Sequence, residues 1–349
     1  IAGGCLVSVS AATEAPEVTR LEASHVAEIH TGGASTGIAL ETREDRPCYV
    51  VHSRRGDQVF RVEVDALHGR LLTIDEEGEG GWRQTYRWPG VRVVAHRGGA
   101  LLGPPENTLP AIDKAIAIGA DLIEIDIRQT ADGHLVLMHD ETVDRTTNGV
   151  GRVDQMTLAE IGKLTVNSQG AETVRVPTLE EALAAMKGRI DPDLDFKEGD
   201  LQPLLRVVRK LDLAPFCTLH GSWERSLKTS VEAPLVRVRP SAEFPLQVPL
   251  LIRTVRPAIV NLDWHAVTEE AVRLAHLGGC QAFVNCLGSA DTELYAKEAI
   301  RIGADYIQSD RPDLVIDLLQ QQGMRDERPP RGDALQTPLR SPHLQYPLR

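Results

Sequence analysis

From Val91 to about Gln320 one rhythm repeats along the chain: a short apolar run, a loop, then an amphipathic stretch of helical period. No other feature of these 349 residues constrains the fold as tightly. Strands joined through helices run parallel, and a parallel sheet must be covered on its outer face. Apolar runs fall at 91–96, 122–127, 192–197, 216–220, 235–239, 258–263, 281–285 and 305–309. Helical patterns lie between most of them, as at 108–118, 178–187 and 269–277. Eight strands over a stretch of about 230 residues predict a (β/α)8 barrel at 89–320. A doubly wound open sheet is the alternative, but no Gly-rich nucleotide turn follows the first strand. Aromatic residues make up only 4% of the chain, so the core must be built from Val, Leu, Ile and Ala.

One further run, Leu135–His139, does not fit the parallel order. Asp132-Gly133 is a strong hairpin turn, and a parallel crossover needs a dozen residues or more. Folded as a two-residue hairpin, the chain pairs Thr130 with Leu135, Arg128 with Leu137 and Asp126 with His139. The run is then the returning arm of a hairpin that overshoots the barrel mouth, and the count of eight barrel strands stands.

The N-terminal part differs. Val50–His52 and Val59–Asp65 flank an Arg55-Gly56-Asp57 turn, and Leu71-Leu72 follows as a short third strand, giving a small α+β domain at 13–88. Val64-Asp65-Ala66-Leu67-His68-Gly69-Arg70-Leu71 resembles a phrase of the PepSY family over about forty residues. Glu76–Gly81 reads as a linker. Residues 1–12 carry no charge and begin without methionine, as would the remnant of a secretory signal, with Ser10-Ala11-Ala12 as a small-x-small site. Ala2-Gly3-Gly4-Cys5 faintly resembles a lipoprotein box, which leaves lipidation of Cys5 open. Export to a periplasmic or extracellular location is the reading these residues favour, with a cytoplasmic location and an untargeted leader as the alternative. Residues 321–349, rich in Pro and Arg, read as a disordered tail.

Thirty-eight basic against fifty acidic residues give a net charge of −12, which argues against a nucleic-acid or anionic-membrane binder. No apolar run is long enough for a membrane span. The five cysteines form no CxxC pair, and Cys280 and Cys286 bracket an extended run too long for a disulfide. All five read as structural or incidental, and the sequence names no protein partner.

Strand alternation locates the chemistry. In Leu122–Arg128, Glu124, Asp126 and Arg128 share one face and the three isoleucines the other. In Asp193–Lys197, Asp193, Asp195 and Lys197 share one face. The outer face packs on helices, so the charged faces point into the barrel near its top. Buried carboxylates are costly unless paired or metal-bound. Glu124, Asp126 and Asp195 therefore form a candidate oxygen-ligand site for Mg²⁺ or Ca²⁺, with a salt-bridged polar core around Arg128 and Lys197 as the alternative. His96 ends the first strand, where barrel enzymes place their chemistry, and His139 converges on it through the hairpin. With Arg97 and Lys197 as anion binders, this set suits phosphoryl chemistry.

Five phrases then stand in order: His-Arg-Gly-Gly at 96–99, Pro-Glu-Asn-Thr at 105–108, the run 124–140 ending in His139-Asp140, Asp195-Phe196-Lys197, and Ile-Gln-Ser-Asp-Arg-Pro at 307–312. Over about Val91–Leu319 the chain resembles the glycerophosphodiester phosphodiesterase family, barrels of the phospholipase-C-like type. The resemblance implies metal-dependent hydrolysis of glycerophosphodiesters, small-molecule substrates, to sn-glycerol 3-phosphate and an alcohol. It implies His96 and His139 as acid/base residues, Arg97 and Lys197 as phosphate binders, and Glu124, Asp126 and Asp195 as ligands of Ca²⁺, Mg²⁺ or Mn²⁺. Glu106 and Asn107 are implied as support for the site, though helix capping accounts for the latter as well. Such relatives work through a cyclic intermediate, in which the substrate's own hydroxyl attacks phosphorus.

Three departures from the family pattern matter. Asp195 stands where many relatives carry Glu, so its carboxylate is one methylene shorter. Ala282-Phe283-Val284-Asn285 replaces Trp-Thr-Val-Asn, removing a Trp expected to shape the pocket. Ser222-Trp223 replaces Ser-Phe, and Glu141–Val176 matches an insertion expected to roof the site. Two other readings compete: a sphingomyelinase D or phosphatidylinositol phospholipase C-like lipid phosphodiesterase, disfavoured by the lack of an evident membrane-binding segment, and an inactive barrel serving as a binding module.

Overall fold

The computed structural model describes residues 16–43, 46–78, 81–87, 90–168, 173–263 and 265–325. The expectations for residues 1–12, for Cys5 and for 326–349 lie outside the described residues. The chain divides into two compact units, 1–88 and 89–349.

In the first unit, the helix α1 (Arg20–Thr31) starts at a capping box in which Thr19 and Glu22 exchange hydrogen bonds. It ends on left-handed Gly32 and buries Ala23, Val26 and Ala27. Five strands among the described residues follow as an antiparallel meander: β1 (Ala34–Arg43), β2 (Arg46–Arg55), β3 (Gln58–Asp65), β4 (Leu71–Gly78) and β5 (Gly81–Arg87). The β2–β3 turn falls at Gly56-Asp57, with Arg55 opposite Gln58 and Gly56 at φ 60. Glu76–Gly81 is not a linker, because Glu76 and Glu77 pair with Arg83 and Trp82 across β4 and β5. A ladder of backbone hydrogen bonds does not require apolar alternation, so an acidic strand with exposed side chains gave no signal.

In the second unit, eight parallel strands close a barrel among the described residues. They are β6 (Arg92–Ala95), β7 (Leu122–Gln129), β9 (Asp191–Phe196), β10 (Thr218–Gly221), β11 (Arg237–Ala242), β12 (Ile259–Leu262), β13 (Gln281–Cys286) and β14 (Tyr306–Ser309), with the short β8 (Leu135–Leu137) running antiparallel beside β7. Outward residues of β7 and β9, Ile123, Ile125, Ile127, Leu194 and Phe196, pack against Leu179, Leu183, Leu204 and Val208 of the covering helices. Each such side chain contributes about 1.5–3 kcal/mol on burial. Inside the barrel, Val94, Leu122, Ile259, Phe283 and Tyr306 form an apolar plug, with the last two rings stacked at 5.5 Å. Polar side chains occupy the layers above the plug.

Ala282 corrects one expectation. It lies on the outer face, fully buried among Val260, Leu262 and Val272, while Phe283 and Asn285 share the inward phase. The missing Trp is thus a matter of shell packing, and the pocket keeps its wall.

The β7–β8 hairpin is slipped by one residue from the expected register. Ile127 pairs with Leu137, Arg128 with Val136 and Gln129 with Leu135, and Met138 N–H donates to Asp126 O. The loop is the three-residue Ala131-Asp132-Gly133, because Thr130 N–H bonds His134 O and the Thr130 hydroxyl donates to Asp132 at 2.6 Å. Gly133 takes the left-handed φ of 83 that such a loop requires. The described residues between 141 and 176 close a small core with Val136 and Met138, to which they bring Val143, Val153 and Ile161. The last described helix runs Pro312–Gln321, and Arg325 beyond it donates to Asp121 at 2.7 Å, so described structure continues past residue 321, the start expected for the tail.

Candidate active site

At the mouth of the barrel the chain leaves β6 through His96-Arg97-Gly98-Gly99. Arg97 sits at φ 52, and a Cβ on Gly98 would lie 2.7 Å from Ala111 Cβ, so only glycine lets this loop press onto the helix Leu109–Ala117. Pressed there, the Arg97 backbone N–H donates to Glu124 Oε2 at 2.9 Å, and its Nη1 donates to Glu106 at 3.0 Å. Asn107, at φ 57, exchanges two bonds with Asp126: Asn107 Nδ2 donates to Oδ2 at 2.7 Å, and Asp126 N–H donates to Asn107 Oδ1 at 3.0 Å. Helix capping falls instead to Thr108, which accepts from Ala111 N–H.

Glu124, Asp126 and Asp195 bring ligand atoms within 4.8 Å of one another. Lys197 Nζ stands 2.8 Å from Asp126 Oδ1 and 2.6 Å from Asp195 Oδ2. Burial, reinforced by the charges of Asp126 and Asp195, pushes Glu124 well above the usual carboxylate range. Asp195 goes the other way: burial opposes its charge, but His220 and Lys197 hold it well below that range. Lys197 is raised, with its two carboxylates outweighing the burial that would lower it. Arg128 is not a partner of this cluster. It pairs with Glu198 and donates from Nε to His139 O at 2.9 Å.

The two expected histidines line one cavity of about 530 Å³, together with Arg97, Glu124, Asp195, Lys197 and Arg239. His96 Nδ1 donates to Asp310 at 2.6 Å, and His139 Nδ1 donates to Asp140 at 2.7 Å. Each carboxylate fixes a tautomer and leaves Nε2 as the working nitrogen. His139 arrives here despite the register slip, because β8 ends at Leu137 and the backbone leaves the ladder before it. Asp140 in turn accepts from Arg145 Nε at 2.6 Å, and Arg145 also holds Glu106 at 2.8 Å. The insertion therefore buttresses the site from the side: among the described residues, none from 141–176 lines the cavity. Arg145 and then His139 hold Asp140 below its ordinary range, and burial of Glu106 is outweighed by Arg145 and Arg97.

Asp310, Asp140, Arg145, His220, Arg239, Ser241 and Asn261 belong to the site or its support without having been assigned from sequence. Asp310 was in reach: it lies two residues past Gln308 in the inward phase of β14. Arg145 carried no signal of its role, since it acts by tying nearby Asp140 to Glu106, which lies 39 residues away.

These features define a (β/α)8 barrel with carboxylates, histidines and cationic side chains gathered at its mouth. Residues 96–231 match the model of the glycerophosphoryl diester phosphodiesterase family. A glycerophosphodiester phosphodiesterase from Agrobacterium tumefaciens C58 superposes with a TM-score of 0.58 at 30% identity, covering 64% of this chain and 99% of that one. The chain belongs to this family. Among curated relatives, the glycerophosphodiester phosphodiesterase of Caldanaerobacter subterraneus is 52% identical over 92 residues, 26% of this chain and 37% of the relative. Bovine glycerophosphodiester phosphodiesterase 1 is 48% identical over 101 residues, 27% of this chain and 30% of the relative. The chain thus aligns with well under half the length of either. Among the described residues no helix is long and apolar enough to cross a membrane.

Proposed function

We propose that the barrel hydrolyses glycerophosphodiesters to sn-glycerol 3-phosphate and an alcohol, with His96 and His139 as the acid/base pair. The observation that carries this is the paired geometry of the histidines. Each is oriented at Nδ1 by its own carboxylate, and both line one cavity with Arg97 and Lys197. One Nε2 can take a proton from the attacking hydroxyl while the other gives one to the leaving alcohol. Arg97 and Lys197 orient the phosphate by charge, and a cavity of about 530 Å³ holds a substrate of this size. The substrate's neighbouring hydroxyl is the favoured nucleophile, because a tethered group gains a large effective molarity: its attack expels the alcohol and closes a cyclic phosphate, which water then opens to sn-glycerol 3-phosphate.

Glu124, Asp126 and Asp195 suit a divalent cation. Asp126 Oδ1 is buried with the Lys197 ammonium against it at 2.8 Å, and Glu124 is raised by burial and by the charges of Asp126 and Asp195, a repulsion that a shared cation would relieve. All three donors are oxygens, as Ca²⁺, Mg²⁺ and Mn²⁺ prefer. When bound, such a cation supplies Lewis-acid neutralisation of the phosphate.

The test is release of glycerol 3-phosphate from glycerophosphocholine by the full chain, before and after EDTA and with Ca²⁺, Mg²⁺ or Mn²⁺ restored. Chelation should abolish turnover. Full activity of metal-free Asp195→Ala protein would overturn the metal assignment. No glycerol 3-phosphate under any of these conditions would overturn the activity.

One observation favours the lipid-directed reading. Trp223 follows β10, and Phe244 and Leu246 follow the neighbouring β11, all at the mouth end, with Phe244 58% and Leu246 86% exposed. Turnover of lysophosphatidylcholine well above that of glycerophosphocholine would establish that reading instead.

A further inference from the structure

The short arm of Asp195 raises a positional problem. Glu124 and Asp126 are each held by hydrogen bonds from the loops above them: Arg97 N–H to the first, Asn107 Nδ2 to the second. Asp195 has neither contact, and it lacks the methylene that would bring a Glu carboxylate closer to its partners. Its two oxygens are held separately. Lys197 Nζ takes Oδ2 at 2.6 Å, and His220 Nδ1 stands 3.3 Å from Oδ1. A carboxylate clamped at both oxygens cannot rotate about χ2 toward the lysine alone.

His220 is itself held by a chain of side chains across consecutive strands. Asp195 and His220 are register partners, as are His220 and Arg239, and Ser241 and Asn261. Arg239 lines the cavity, its guanidinium 3.8 Å over the Phe283 ring and paired with Asp193 at 2.8 Å. Its Nη1 donates to Asn261 Oδ1 at 2.5 Å. Arginine only donates, so the Asn261 oxygen must face it, and the amide nitrogen is turned the other way. That nitrogen donates to Ser241 Oγ at 2.9 Å and to Asp263 Oδ1 at 2.9 Å. Ser241 lies 2.9 Å from His220 Nε2. A carboxylate only accepts, so Nδ1 carries the proton toward Asp195, and Nε2 is held by the Ser241 hydroxyl.

We propose that His220 is a positioning residue for Asp195. The chain Arg239–Asn261–Ser241–His220 fixes the ring so that Nδ1 aims the short carboxylate at the cation site. This rests on the reading of Glu124, Asp126 and Asp195 as cation ligands. His220 acts through Asp195, and partners of this kind are worth about 10- to 100-fold in metal affinity.

The experiment measures Mn²⁺ binding to the metal-free full chain by electron paramagnetic resonance or calorimetry, with thermal unfolding to confirm the fold of each variant. Two amides separate the ring nitrogens: Asn places its NH₂ near Nδ1, and Gln places it near Nε2. His220→Ala should weaken Mn²⁺ binding by about 10- to 100-fold. His220→Asn should restore it to within about threefold of the parent, and His220→Gln should behave like alanine. An alanine variant that binds like the parent overturns the proposal, as does equal rescue by Gln and Asn. A parent protein that binds no Mn²⁺ overturns the cation site as well, which distinguishes that failure from failure of the role of His220 alone.

Discussion

Asp310→Asn isolates one feature of the site, the orientation of His96, with almost no change of shape. In the parent both carboxylate oxygens accept: Oδ1 from His96 Nδ1 at 2.6 Å, and Oδ2 from the Gly288 N–H at 3.3 Å. An asparagine offers one acceptor and one donor, so in either amide orientation a donor faces a donor. The stronger bond is the charged one to His96: with the amide oxygen there it loses its charge, with the amide nitrogen there it is lost outright, and such charged bonds contribute at most about 1.5–3 kcal/mol. If that energy holds the imidazole in its working tautomer, its loss lowers kcat by roughly 10- to 150-fold at about 1.4 kcal/mol per tenfold. KM should stay within about threefold, since the phosphate is held by Arg97 and Lys197. The assay is steady-state turnover of glycerophosphocholine at neutral pH, with urea unfolding in parallel. A kcat within twofold of the parent would refute the reasoning. The unfolding data carry a second signature. Burial works against the charge of Asp310, but His96 holds its carboxyl below the ordinary range. A depressed acid stabilises the fold above its unfolded value of about 3.9, and that stability is lost as pH falls through the lower folded value. The margin of parent over variant should be flat at neutral pH and shrink only in strong acid; a margin independent of pH would contradict the pairing.

Three other outcomes follow from the same geometry. His96→Ala and His139→Ala should each lower kcat by at least ~10²-fold, the usual scale for a general acid or base, and a loss below tenfold in either, measured as glycerol 3-phosphate release, removes that residue from the acid/base pair. A 2-deoxy analogue of the substrate should bind with similar affinity and react at least ~10²-fold more slowly, because it lacks the tethered nucleophile; equal rates in a single-turnover comparison would mean that water attacks directly. A chain of residues 90–325 should keep its kcat, because every residue lining the cavity lies in the second unit, and a truncated protein that is folded by circular dichroism but inactive would show that the first unit takes part.

Most of the barrel was legible because a closed parallel sheet imposes one rule on every strand. Ile123, Ile125 and Ile127 must face helices, so Glu124 and Asp126 must face the axis, and no loop detail can alter this. The hairpin obeyed a different rule. Its register depended on whether Thr130 and Asp132 would bond across the turn, a choice worth a hydrogen bond or two, and a period-two pattern does not record that choice. The slip placed Leu135 and Leu137 in the main core and Val136 and Met138 in the small one. The reverse register would have exchanged the two pairs with little change in hydrophobicity. His139 was insensitive to the slip only because the strand ends two residues earlier. Arg145 and the β4–β5 pairing were illegible for a related reason: each is settled by a partner far along the chain or by the backbone alone.

The pattern of charge at the mouth bears on why Glu124 stands out among the buried carboxylates. Asp193 has Arg239 to itself at 2.8 Å, while Asp126 and Asp195 share Lys197. Asp126 also has Arg97 Nε at 3.4 Å and the Asn107 amide, and Asp195 has His220. Glu124 has one backbone N–H and a histidine nitrogen at 3.9 Å, and it is 2% exposed. A fully paired mouth would have been the more stable arrangement, since a buried carboxylate without a matching charge costs several kcal/mol. The barrel nonetheless leaves Glu124 without a lysine or arginine of its own, at the position where a third oxygen donor would complete the proposed ligand set. Pairing Glu124 with another arginine would relieve the cost and close the site to a divalent ion at once. The deficit and the ligand geometry are therefore the same feature, and it is the clearest physical argument that these three carboxylates are arranged for a cation and not for one another.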